Sequence, residues 1–297
     1  MTLIANETVV QTFLDEPTQP CLILPLNTCD SHVHVFGPRS RFAYSPLRKN
    51  TPAEAPKEKL FALHKKLGIR RCVIVQSMIH GNDNSVVEDA IAAGGGDYLG
   101  VALTKVDVSD QELQRLASRG FRAVRFNFMA HLDGGHDVRD VIKLTPRLAA
   151  VGMHLQVHFE SALIHSVGQQ LLQSAVPVVI DHMGRVDATK GESHEDFQAL
   201  MRLLDHPKVY VKVSGIDRIE ATSRAGSGYP MGTQLAARLV ECFPEQCLWG
   251  LDWPHPNHTH IPDDGELVDA LMKIAPTKSL LDGLLVRNPQ LLYRFPE

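Results

Sequence analysis

The chain has no cysteine framework. Its five cysteines (Cys21, Cys29, Cys72, Cys242 and Cys247) are odd in number and include no C-x-x-C pair. They fit reduced thiols in a cytoplasmic protein better than a disulfide scaffold. Long apolar runs are also missing, none approaching the roughly 18–20 residues that span a bilayer, so no membrane association is expected. No basic stretch followed by an apolar core opens the chain, and a secretory signal is not expected. Charge is balanced: 30 Lys and Arg against 34 Asp and Glu leave a formal −4, which gives no sign of a nucleic-acid partner. Neither G-x-G-x-x-G nor G-x-x-x-x-G-K-[ST] follows the first strand, so a nucleotide-cradling loop is unsupported. What remains is ordinary globular composition, 44 % hydrophobic and 22 % charged, with 15 histidines in 297 residues.

The chain alternates two kinds of segment. Short β-branched runs at Cys29–Phe36, Arg71–Gln76, Leu99–Val106, Ala123–Phe128, His154–Phe159, Pro177–His182, Val209–Val213 and Leu248–Asp252 predict eight strands. Between them, apolar residues spaced by three and four predict helices at Lys57–Leu67, Asn84–Ala93, Asp110–Ser118, Val138–Val151, Ala162–Gln173, Glu195–Leu204, Gly232–Cys242 and Gly265–Ile274. Gly68, Gly94, Gly120 and Gly152 stand where left-handed caps would end helices. Eight alternating units predict an α/β fold, a closed (β/α)8 TIM barrel. A doubly wound sheet gives a similar pattern but has edges and binds its ligand at a strand-order switch. Residues 1–28, with Pro17, Pro20 and Pro25, read as an extension packed on the barrel, and 29–297 as a single catalytic domain. The polar stretch Gly215–Gly232 reads as either a cover over the site or a surface insertion. Pro289–Phe295 is expected to close the barrel bottom.

In such a barrel the chemistry sits at the C-terminal strand ends. The first predicted strand carries His32 and His34, two residues apart and so on one face. His158 lies at the end of the fifth, His182 ends the sixth and Asp252 ends the eighth. Imidazoles with one carboxylate suit Zn2+ better than Mg2+ or Ca2+, and Mn2+ is also compatible. Asp252 is the natural general base for a water, and His182 can donate a hydrogen bond or shuttle a proton. Arg125 and Arg218, at the ends of the fourth and seventh strands, present planar forks for a carboxylate or other oxyanion. Tyr44, Ser77, His80 and Asn257 are further donors at the rim, and Lys212 is a candidate interior cation. A small anionic substrate fits this set.

These residues carry a resemblance. In Asp30–Gly37, Val75–Asn84, Gly120–Phe128, Val179–Arg185, Gly250–Asn257 and Ile261–Gly265 the chain resembles the amidohydrolase superfamily. Within it, the likeness is to the group of 2-pyrone-4,6-dicarboxylate and 4-sulfomuconolactone hydrolases. The resemblance implies a barrel that opens a small lactone. In the pyrone branch it implies metal-free catalysis: counterparts of His32, His34 and His182 surround the lactone carbonyl, that of Asp252 activates water, and those of Arg125 and Arg218 hold carboxylates. Two departures stand out. His131 replaces a further arginine, and His158 replaces a tyrosine and restores the strand-five histidine of metal-dependent members. The resemblance therefore implies His32, His34, His158 and Asp252 around one divalent metal, Zn2+ first. The implied reaction is hydrolysis of 4-sulfomuconolactone to maleylacetate and sulfite. Substrate contacts are expected from Arg125, Arg218, Tyr44, Ser77, His131 and Asn257. Metal-free pyrone dicarboxylate hydrolysis and a metal-dependent decarboxylase are the alternatives. A monomer or small homo-oligomer is expected.

Overall fold

The computed structural model describes residues 8–128, 137–220, 224, 226–258 and 260–296. Eight parallel strands form one sheet: β1 Cys29–Val33, β2 Arg71–Val75, β3 Tyr98–Leu103, β4 Phe121–Phe128, β5 His154–Phe159, β6 Val178–Ile180, β7 Val209–Lys212 and β8 Cys247–Leu248. Each strand is hydrogen-bonded to its sequence neighbour, from β1 through to β8. The remaining gap is spanned by backbone bonds between β1 and the segment after β8: Ser31 N–H to Trp249 O at 2.8 Å, Asp252 N–H to His32 O at 2.7 Å, and His34 N–H to Trp253 O at 2.7 Å. The expected (β/α)8 barrel is the observed fold. A sheet that returns on itself leaves no edge to protect.

Helices α1 Lys57–Leu67, α2 Ser85–Ala93, α3 Asp110–Ser118, α4 Val138–Ala150, α5 Ile164–Leu171, α6 Glu195–Leu204, α7 Pro230–Cys242 and α8 Asp264–Asp269 ring the sheet. Their apolar sides are buried, as Leu113 and Leu116 of α3 and Val141, Leu144 and Leu148 of α4 illustrate. Start signals are local: the Ser109 side chain accepts from Glu112 N–H at 3.1 Å, and the Asp137 side chain accepts from Arg139 N–H at 2.8 Å. Inside the barrel, Val73, Val75, Leu99, Val101, Ala123, Val179 and Leu248 form a separate apolar layer. Leu292, Tyr293 and Phe295 plug that layer from below, as expected for the C-terminal stretch. Residues 9–22 lie against the same body. Val9–Val10 pairs in parallel with Thr51–Pro52, Phe13 packs 5.2 Å from Trp253 between ring centroids, and Asp269 accepts from Cys21 and Leu22 N–H.

Several boundaries differ from the sequence expectation. The first strand stops at Val33, the third at Leu103 and the sixth at Ile180. The eighth is regular only over Cys247–Leu248. Beyond it, Gly250 lies so close to β1 that a Cβ there would come within 2.5 Å of His32 N. The eighth helical segment splits into α8 and a one-turn α-helix at Leu271–Ile274, and the fifth is preceded by a short 3-10 helix, Ser161–Leu163. Gly68, Gly120 and Gly152 take the left-handed cap conformation, whereas Gly94 has φ −83°. Gly94 is constrained by packing: a Cβ would sit 2.5 Å from that of Tyr98.

Candidate active site

His32 stands on β1 and His34 just past its end, with ring centroids 5.1 Å apart. His34 Nδ1–H donates to Val75 O at 2.7 Å, since a carbonyl can only accept, and Nε2 is the nitrogen turned inward toward Asp252. After β6 the chain turns sharply, with His182, Met183, Gly184 and Arg185 all at positive φ. This turn brings the His182 ring to 4.4 Å from that of His32. Its Nδ1 meets Ser214 Oγ at 3.0 Å. Asp252, itself at φ 66°, follows β8. Backbone held in the left-handed region by non-glycine residues is costly and concentrates at functional sites.

Asp252 is the centre of the cluster. Its Oδ1 lies 3.3 Å from His34 Nε2, 3.6 Å from His32 Nε2 and 3.8 Å from His182 Nε2. Its Oδ2 accepts from Arg218 Nε–H. Burial alone would raise the Asp252 pKa, but Arg218, then His182 and His34, outweigh it and hold the carboxyl well below the usual range. The imidazoles move the other way. Burial, then the charge of Lys212, pushes His32 down to about 3. Burial is also the leading cause for His182 and His158, both pushed well down. An anionic carboxylate therefore faces the neutral rings of His32 and His182.

That set is suited to one divalent cation. Ligand atoms of His32, His182 and Asp252 all lie within 4.8 Å of one another. His32 Nε2 and Asp252 Oδ1, both buried, have no hydrogen-bond partner, an unmet demand that a cation would satisfy. His182 thus joins His32, His34 and Asp252 at the centre. His158 stands further out, its ring 5.5 Å from that of His182. Its Nδ1 meets Asn127 Oδ1 at 3.3 Å, and its buried Nε2 has no partner.

His34, His182 and Asp252 of the cluster line a cavity of about 310 Å3. Arg48, Lys49, Arg125, Arg185 and Arg218 line it, with Asp252 the one carboxylate on the lining among the described residues. This local excess of cations favours an anion despite the chain's net negative charge. Ser77 and Asn257 are on the lining as expected. Tyr44 is not; it is buried behind the rim, edge-on to His80 at 5.0 Å. His131 lies outside the described residues. Arg125 is partly committed, its Nε–H donating to Asp181 Oδ2 at 2.8 Å.

Arg185, an arginine just after the sixth strand, stands outside the expected set of substrate contacts. It lines the cavity, and burial, then Arg218, pulls its guanidinium down to about 10. The available signal was its position one turn past a strand end, directly after His182-Met183-Gly184. Lys212 proves to be an interior cation, wholly buried beside Asp181 and Gln156. Asp181 and Gln156 had no distinguishing pattern, because a buried polar residue inside an apolar strand reads like any other.

The comparisons with known proteins agree with this architecture. The model of the amidohydrolase family matches residues 29–295. The 2-pyrone-4,6-dicarboxylate hydrolase of Comamonas testosteroni is 42 % identical over 288 residues, covering 95 % of this chain and 94 % of that one. The 4-sulfomuconolactone hydrolase of Hydrogenophaga intermedia is 36 % identical over 275 residues, covering 91 % and 90 %. A crystal structure of a probable 2-pyrone-4,6-dicarboxylic acid hydrolase from Acinetobacter baumannii, with citric acid bound, superposes with a TM-score of 0.79 at 26 % identity, covering 91 % of this chain and all of that one. The chain belongs to the amidohydrolase family. It is a hydrolase of that family, homologous to the group of 2-pyrone-4,6-dicarboxylate and 4-sulfomuconolactone hydrolases. Among the described residues, no helix is long and apolar enough to cross a membrane.

Proposed function

We propose that this protein hydrolyses a small anionic lactone bearing two carboxylates, of the 2-pyrone-4,6-dicarboxylate type. The observation that carries the reading is the pairing of one anionic base, Asp252, with a cavity lined by five cationic side chains. The 42 % identity to a pyrone dicarboxylate hydrolase and the citric acid held by a structural relative support two carboxylates over a sulfonate. The order of preference expected from sequence, with 4-sulfomuconolactone first, is reversed on these grounds. Sulfomuconolactone remains the second reading because His158 adds an imidazole with a free Nε2 to the cavity wall.

In the reaction, Arg125, Arg185 and Arg218 hold the carboxylates and set the ring over the histidines. Asp252 takes a proton from water as its oxygen adds to the lactone carbonyl carbon. The ring C–O bond then breaks, and the Asp252 carboxylic acid returns its proton to the departing enolate oxygen. The product is one ring-opened molecule that carries both the new carboxyl group and the enol hydroxyl, with one water consumed. A divalent ion held by His32, His34, His182 and Asp252 would polarise the carbonyl and lower the pKa of a bound water. Arg218 keeps Asp252 ionised and fixes which of its oxygens faces the rings.

The test is a substrate panel on one preparation. Ring opening of pyrone dicarboxylate and of sulfomuconolactone would be followed by absorbance, with sulfite and carbon dioxide measured in parallel. Each assay would be run after chelation and after adding Zn2+ or Mn2+. Faster opening of the pyrone is expected. Carbon dioxide release without ring opening would replace the reading with a decarboxylase, and inertness toward both lactones would end it.

A further inference from the structure

His32 differs from His34 in one respect that bears on the cation site. The Nδ1 of His34 has a carbonyl for its neighbour, which commits its proton. The Nδ1 of His32 has two neighbours of opposite demand. Lys212 Nζ, a donor, lies 3.2 Å away, and Asp181 Oδ1, an acceptor, lies 3.3 Å away. All three residues are fully buried. Lys212 is anchored by Gln156 Oε1 at 2.9 Å and by Asp181 Oδ1 at 3.3 Å. Asp181 is held on its other oxygen by Arg125 Nε–H at 2.8 Å and Gln156 Nε2–H at 3.0 Å. Its Oδ1 lies 3.3 Å from both Lys212 Nζ and His32 Nδ1, so an acceptor stands beside the His32 ring.

A neutral imidazole carries one proton, and the neighbour of one nitrogen decides which nitrogen holds it. When Lys212 donates to Nδ1, the proton sits on Nε2, which then faces Asp252 Oδ1 as a donor and has no lone pair for a cation. When Asp181 accepts from Nδ1–H, the Nε2 lone pair is free to ligate. The two neighbours thus push the ring toward different chemistries: a hydrogen-bond donor in one case and a metal ligand in the other.

We propose that Lys212 and Asp181 are positioning residues that set the tautomer of His32, Lys212 weakening and Asp181 strengthening the grip of the cluster on a divalent cation. In the metal-free protein the hydrogen bond from Lys212 prevails, and His32 carries its proton on Nε2. The inference rests on the His/His/Asp cluster and is independent of which lactone is the substrate.

The test uses the whole chain and two readouts other than turnover. Nitrogen-15 NMR of imidazole-labelled, metal-free protein, with His32 assigned through His32→Gln, reports the tautomer directly. Wild type is expected to be protonated on Nε2, and Lys212→Met on Nδ1. Zinc affinity, measured by competition with a chromophoric chelator, is expected to tighten about tenfold or more in Lys212→Met and to weaken about tenfold or more in Asp181→Asn. A merely structural pair would shift both affinities the same way. That result, unchanged affinities, or a wild-type His32 protonated on Nδ1 would overturn the proposal. The wild-type spectrum decides the tautomer even if a variant fails to fold, and no outcome depends on lactone hydrolysis.

Discussion

Arg218 and Asp252 form a pair in which the guanidinium engages Oδ2 and leaves Oδ1 facing the Nε2 atoms of His34, His32 and His182 at 3.3, 3.6 and 3.8 Å. The arginine arrives on the loop after β7 and the aspartate on the segment after β8, so their meeting is a property of barrel closure. Arg218 is further tied to the same segment by Nη2–H donation to Pro256 O at 2.8 Å. The pair accounts for an ionised carboxylate in a buried place.

Asp252→Asn keeps the shape and one acceptor oxygen but removes the capacity to take a proton. Turnover should fall by about 10^2- to 10^4-fold with the circular dichroism spectrum and melting temperature largely preserved. Steady-state kinetics on the ring-opening assay would check this, and undiminished turnover would rule out Asp252 as the base.

Arg185→Met should raise KM about tenfold or more and leave kcat much less affected. Arg185 lines the cavity and pairs with no carboxylate among the described residues, so its charge-assisted bonds are available to substrate. A loss confined to kcat would show that Arg185 acts on the transition state instead of on binding.

Acid should destabilise the protein in part through His154. Burial, then Lys212, lowers its folded pKa from the ordinary 6.5 to about 3. Between these values the unfolded chain binds the extra proton, so stability is present above pH 6.5 and declines as pH falls toward 3. For this group alone the loss between pH 7 and pH 5 is about 2 kcal/mol. Urea unfolding at both pH values should show a smaller difference for His154→Leu than for wild type; an equal difference would contradict the assignment.

Gly250→Ala should damage both stability and activity. The new Cβ would meet His32 N at 2.5 Å and the Asp30 carboxylate at 2.9 Å, and backbone cannot yield as a flexible side chain does. A loss of about 1–3 kcal/mol is expected from such overpacking, with His32 displaced. Calorimetry together with zinc affinity would register it, and wild-type values in both would show that the strands have room to part.

The eight strands and their order were legible because apolar alternation and helical spacing are local properties. The ends of β1, β3, β6 and β8 were less so, because at the mouth the chain abandons strand geometry to aim His34, His182 and Asp252. The histidines were recognisable by their recurrence at strand ends. Arg185 was less so, since its position past the sixth strand is one that a surface arginine could share. The position of Gly94 suggests a cap, whereas its close approach to Tyr98 depends on how α2 returns to β3.

By itself the sequence determined the barrel, the residues at its mouth and an anion-seeking character, all of which follow from periodicity, strand polarity and side-chain chemistry. Only the tertiary structure decided that Asp252 is the hub, that His182 sits inside His158, and that Lys212 and Asp181 meet at one nitrogen of His32. Those relationships join residues between 24 and 220 positions apart, and distances of a few ångströms between strand ends are set by the closure of the sheet and the packing around it. Hydrogen bonding and charge then act over those distances, which is why the chemistry of each residue depended on a neighbour remote in the chain.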